Sequence, residues 1–201
     1  MTTAPIAQLK VTLDDVEPKV IRRLSIPLKI RLDRLHLTLQ AAMGWTNTHL
    51  WEFRVRDIGW GPKPDYDDFG DGPLDAAKTT LGDVLEDTGA KTIRYLYDFG
   101  DGWEHVIKIE KITAPVPGLA YPVLLMATGQ CPPEDVGGVL GYSEFLEAIA
   151  DPNHEEYDAM RGWYGGGFDP EEVDAEAIDA ELQRLAKRWT RKPPTRRKKS
   201  A

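Results

Sequence analysis

Cysteine and histidine are both scarce in this chain: of its 201 residues, one is cysteine, Cys131, and four are histidine. A lone cysteine excludes an intramolecular disulfide and the paired-thiolate spacing of a structural zinc site. No apolar run approaches the roughly 20 residues that a membrane-spanning helix needs, so no membrane association is expected. A free thiol with no secretory leader predicts a reducing, cytoplasmic setting. A phosphate loop is missing too. Gly162–Pro170 is glycine-rich, but it lacks the lysine of GxxxxGK[ST] and follows no predicted strand. No serine or cysteine carries a hydrolase signature.

Positive charge is the next shortage, and it is unevenly spread. The net charge is −8. Eight basic residues and no acidic one fall between Lys187 and the end. Residues 1–186 then hold 17 basic residues against 33 acidic, a net charge of −16. Such a body repels nucleic acid, so any nucleic-acid contact is expected through the basic tail alone. The expected organisation is one domain over residues 1–189 and a basic, disordered tail over 190–201, where Pro193-Pro194 opposes regular structure.

What is present is a core-forming share of apolar residues, 41%, patterned first for strands and then for helices. Residues 6–13 alternate, with Ala7, Leu9, Val11 and Leu13 on one face, and Val20–Ile26 reads as an antiparallel partner ended by Pro27. Leu32, Leu35, Leu39 and Met43 recur at helical spacing over 31–43, and Gly44 is a stop. One strand is predicted over 51–58, then a polar loop over 59–79. Thr80 with Asp83 predicts a capped helix over 81–87. Two strands, 93–99 and 103–109, flank Gly100-Asp101-Gly102 as a hairpin. The fragment FGDG also occurs at Phe69–Gly72, a second acidic loop. A further strand is expected over 121–126, and a helix over 142–150. Asp151-Pro152 and Asp169-Pro170 each read as a helix start. The last helix carries the stripe Ile178, Leu182, Leu185 and Trp189. Strands first and helices concentrated in the C-terminal half predict α+β, with a mixed, mostly antiparallel sheet.

The hairpin holds the densest chemistry. Asp98, Asp101, Glu104 and His105 supply oxygen and imidazole groups suited to a divalent metal. Strand alternation sends Glu104 and His105 to opposite faces, so they do not act side by side. Read structurally, the same residues are an acidic turn and a half-buried histidine. The loop Gly129–Tyr142 carries Cys131, Glu134 and Asp135. A nucleophilic Cys131 needs a histidine base, and His49, His105 and His154 are the partners available. The segment Gly44–Phe53 brings His49, beside Trp45 and Trp51. The catalytic candidates are therefore His105, Glu104 and Cys131. The metal-ligand candidates are Asp98, Asp101, His105, His49, Glu134 and Asp135.

Four segments in this order, GWTNTHLWEF, YDFGDGWEH, CPPEDVGGVLGY and HEEYDAMRGWYGGGFDPEEVD, resemble the plasmid pRiA4b ORF-3-like family over about residues 6–186. The resemblance implies an α+β domain with flanking helices, and relatives that carry TnpR-like, insertion-element labels without an established activity. Family members often read CPPEDC where this chain has Val136 in place of the second cysteine, so a two-thiolate metal loop is not expected. Three functions follow as expectations: a module that binds a protein partner, preferred; a metal-assisted hydrolase with a divalent metal; and a DNA-transaction accessory acting through the tail. The hairpin site, if completed, is completed by His49 and the Cys131–Asp135 loop.

Overall fold

Alternation sets the first pairing. β1 (Ile6–Leu13) lies antiparallel to β2 (Ile21–Pro27), with Ala7 opposite Ile26 and Leu9 opposite Leu24. The computed structural model describes residues 4–63 and 72–190. α1 (Leu32–Met43) follows and stops at Gly44, whose φ of 88° is readily adopted only by glycine. Next come β3 (Trp51–Val55), β4 (Ile58–Gly61), β5 (Leu74–Asp75), α2 (Leu81–Thr88), β6 (Thr92–Tyr97), β7 (Trp103–Thr113) and β8 (Val123–Thr128). α3 (Gly138–Ala150), α4 (Tyr157–Tyr164) and α5 (Ala175–Thr190) close the described chain. The strands form one eight-stranded sheet in the order β5-β4-β3-β6-β7-β1-β2-β8. Every pairing is antiparallel except β4 with β5. This is the mixed, mostly antiparallel α+β architecture expected, and three of the five described helices follow residue 137.

Several boundaries differ from the sequence reading, each for a local reason. The strand expected over 51–58 is a hairpin, β3 and β4, turned at Arg56 with φ 52°. Arg56-Asp57 has no glycine or asparagine to announce such a turn. The polar loop over 59–79 thus contains β5 and all but the first residue of β4. Asp151-Pro152 opens a turn, with the Asn153 amide donating to Asp151 Oδ1, and α4 starts later, at Tyr157. Asp169-Pro170 likewise precedes a turn, and Asp174 caps α5 through the Ala177 amide. α3 begins at Gly138, inside the stretch that glycine content marks as loop. Phe99, expected at the end of the 93–99 strand, sits in the hairpin turn and is 53% exposed. The second acidic loop at Phe69–Gly72, except Gly72, and the tail from Arg191 lie outside the described residues.

One apolar cluster joins Ala7, Leu9 and Val11 of β1 to Leu35 and Leu39 of α1 and to Ile178 and Leu182 of α5. Arg22 is buried among them. Its Nε donates to Ala42 O at 2.6 Å and its Nη1 to Thr128 O at 2.8 Å. A guanidinium placed on the last turn of α1 meets the negative end of the helix and satisfies a carbonyl left free there. It fixes the point from which the His49 segment departs. The opposite face of the sheet is charged, with Arg23 bound to both carboxylate oxygens of Glu110 and Arg94 bound to Asp14. No helix among the described residues is long and apolar enough to cross a membrane.

Candidate metal centre

Three segments that are distant in sequence meet at the hairpin turn between β6 and β7. The turn is organised by Asp98, with φ 56°. Its Oδ1 accepts from the Gly100 amide at 2.9 Å, and its main-chain oxygen accepts from Gly102 at 2.7 Å. The Asp98 amide donates to Leu50 O at 2.9 Å, which ties the turn to the residue after His49. One carboxylate oxygen therefore builds the turn while the other, Oδ2, faces His49 Nδ1 at 3.5 Å. On the far side of the ring, Nε2 lies 3.2 Å from Asp135 Oδ1. That nitrogen is shielded from solvent and makes no aligned hydrogen bond. One ligand atom from each of His49, Asp98 and Asp135 lies within 4.8 Å of the other two. Atoms bound to one first-row ion at about 2.0–2.2 Å lie at most about 4.4 Å apart, so the three groups would draw together slightly around an ion.

The His49 loop is held from below by a closed ring of four hydrogen bonds. Gln40 Nε2 donates to Tyr95 Oη at 3.1 Å, Tyr95 donates to His36 Nδ1 at 2.7 Å, His36 Nε2 donates to Asn47 Oδ1 at 2.5 Å, and the Asn47 amide donates to Gln40 Oε1 at 3.0 Å. The ring requires neutral His36. Burial, opposed by the bond to Asn47, lowers its pKa to about 4. His36 also stacks on Trp51, with ring centroids 4.1 Å apart. Asn47 is held at φ 60°, a conformation asparagine adopts more readily than most residues.

The third segment is clasped by Glu134. Its Oε1 accepts from Tyr97 Oη at 2.6 Å and its Oε2 from the Thr46 amide at 2.9 Å and the Thr46 hydroxyl. Burial, then the bond to Glu134, raises Tyr97 to about 12. Trp45 Nε1 donates to Pro132 O at 3.0 Å. Farther along, the Gly137 amide donates to Asp101 Oδ2 at 3.2 Å, and a Cβ on Gly138 would stand 2.3 Å from Asp101 O. Glycine there is what lets α3 start against the hairpin turn. Asp135, with φ 60°, is the exposed tip of this loop.

The six metal-ligand candidates thus divide. His49, Asp98 and Asp135 come together, whereas Asp101 and Glu134 are spent on holding loops. His105 is in the core, not in this cluster. It is fully buried, its Nδ1–H donates to Tyr95 O and Trp103 O, and its Nε2 has no hydrogen-bond partner among the described residues. Burial brings its pKa down to about 4. The other catalytic candidates are displaced as well. Glu104 faces Arg94 on the opposite side of the sheet. Cys131 is buried, which pushes its thiol up to about 12 and leaves it protonated, a poor nucleophile, at neutral pH. Sequence reasoning missed His36, Gln40 and Tyr95, whose roles show only once α1 packs on β6. A polar His36 and Gln40 at i and i+4 on the buried side of an otherwise apolar helix were the available signal.

A family model described as plasmid pRiA4b ORF-3-like protein matches residues 5–177. The uncharacterized protein y4hQ of Sinorhizobium fredii (strain NBRC 101917 / NGR234) is 54% identical over 190 residues, covering 94% of this chain and 96% of that protein. The crystal structure of MM3350, a protein of unknown function from Methanosarcina mazei Go1, superposes with a TM-score of 0.78 at 34% identity, over 87% of this chain and 98% of that one. With more than half of its length matched, and with the motifs gathered at one place in the fold, the chain belongs to the plasmid pRiA4b ORF-3-like family.

Proposed function

We propose that His49, Asp98 and Asp135 bind a divalent metal and that the protein is a metal-dependent hydrolase. The observation that carries this reading is the convergence of three separate loops, each delivering one ligand atom, on a point where the others lie within 4.8 Å. One imidazole and two carboxylates suit zinc, manganese or iron. Three protein ligands leave coordination positions for water, as in catalytic rather than structural sites. A bound ion lowers the pKa of that water toward neutrality and supplies the nucleophile.

Titration calorimetry with zinc and with manganese tests it. One ion per chain is expected, with no binding in His49→Ala. A wild-type chain that takes up neither metal refutes the proposal. A second reading, a module that binds a protein partner, is favoured by apolar side chains beside the site. Leu50 and Phe99 follow His49 and Asp98 directly and are 61% and 53% exposed. The metal separates the two readings. Partner binding survives in His49→Ala, whereas hydrolysis disappears with the ion.

A further inference from the structure

The fourth family segment, around Trp163, contributes no ligand to the cluster, yet it shapes what lies next to it. A cavity of about 340 Å³ opens beside Asp135. Its walls are Val136, Phe145, Met160 and Trp163, and its charged residues are Asp135 and Glu144. Phe145 is fully packed and meets Trp163 edge to face at 5.9 Å, so the floor is rigid. Trp163 itself is half exposed and forms an open wall. The volume is at the small end of the ~300–1000 Å³ range of ligand pockets and suits one apolar group rather than a whole cofactor. Its lining includes no lysine or arginine. In a body of net charge −16, nothing here compensates a phosphate or a second carboxylate.

Resting on the metal-centre reading, we infer that this cavity is the recognition pocket of the site and that the substrate is an uncharged amide or ester bearing a large apolar group, as in a peptide. The apolar group would fill the space between Phe145, Met160 and Trp163, with the attached carbonyl directed toward Asp135, the one ligand that also lines the cavity. Water adds its oxygen to the carbonyl carbon and the carbon–nitrogen or carbon–oxygen bond breaks. The water's proton goes to the departing amine or alkoxide, and nothing is oxidised or reduced. The lining carries two carboxylates and no cationic side chain, which disfavours phosphate esters.

Metal-chelating probes read the pocket directly. In the zinc-loaded full chain, phenylacetohydroxamate is expected to bind at least tenfold more tightly than acetohydroxamate, and phenyl phosphate not measurably. Ala159→Trp, on the exposed side of α4 and at the cavity wall, is expected to bring the two hydroxamates to within about twofold while zinc affinity is unchanged. Equal hydroxamate affinities in the wild type, a preference that persists in Ala159→Trp, or tight phenyl phosphate binding overturns the inference and leaves the metal centre standing. A chain that binds no zinc overturns both, and the zinc titration performed first distinguishes that result.

Discussion

His105 and His49 invert what their surroundings in the sequence suggest. His105 sits in an acidic and aromatic stretch of the chain, close to Asp98, Asp101 and Glu104. In the fold it is sealed in the core and donates to two main-chain carbonyls. His49 has only Thr48 and Leu50 beside it in sequence. In the fold it stands between two carboxylates at 3.5 and 3.2 Å. The difference lies in how each is placed. A strand residue has its side fixed by alternation, and the side that packs on α1 is the dry one. A loop residue takes its partners from whichever other loops reach the same end of the sheet.

The comparison is tested most severely by removing the core histidine. His105→Ala deletes a buried ring and is expected to lower unfolding stability by about 3 kcal/mol in urea titration, while the folded fraction keeps its metal stoichiometry. A stable His105→Ala chain that has lost metal would reverse the roles assigned to the two histidines. Next in size is Asp98→Asn. The amide oxygen retains the turn bond to the Gly100 amide, and asparagine tolerates the positive φ. Stability should therefore hold within about 0.5 kcal/mol. Metal affinity is expected to fall roughly 100-fold, about 2.7 kcal/mol by calorimetry.

Acid titration sharpens the contrast further. His105 and His36 have pKa values of about 4 when folded, against an ordinary value of 6.5. Between those limits the unfolded chain binds more protons, so stability rises with pH. The contribution of both rings is complete above pH 6.5 and is lost as pH falls toward 4, at up to about 1.4 kcal/mol per pH unit for each. His36→Gln should halve that slope in urea melts at stepped pH, and an unchanged slope would show that His36 is already protonated in the folded chain. The smallest effect concerns Glu134, which joins the His49 and Asp135 loops. Glu134→Gln weakens charge-assisted bonds to Tyr97 and Thr46 and should cost about 1 kcal/mol of stability. Metal affinity should drop about tenfold, as for other residues that orient ligands from behind.

Much of the framework was legible because its signals are periodic and short in range. The β1 alternation, the α1 stripe with its glycine stop, and the Thr80–Asp83 capping box, present with both reciprocal bonds, depend on residues a few positions apart. The β3–β4 hairpin was not legible, because Arg56 adopts its positive φ without a residue that favours it. The two Asp-Pro starts misled, because aspartate and proline serve a turn as well as a helix. For the site, the sequence supplied the right loops but could not rank their residues. Glu134 and Asp135 are adjacent in sequence, yet one is consumed by Tyr97 and Thr46 while the other points to His49.

By itself, then, the sequence determined a chain without disulfides, an α+β order of elements, an acidic body with a basic end, and the segments that mark the family. The tertiary structure alone decided which histidine faces carboxylates, which acidic groups are occupied in holding loops, and that an apolar cavity opens beside Asp135. The physical reason is distance along the chain. Propensity and periodicity act over a few residues, whereas a ligand set drawn from positions 49, 98 and 135 exists only after the sheet has brought three loops to one end.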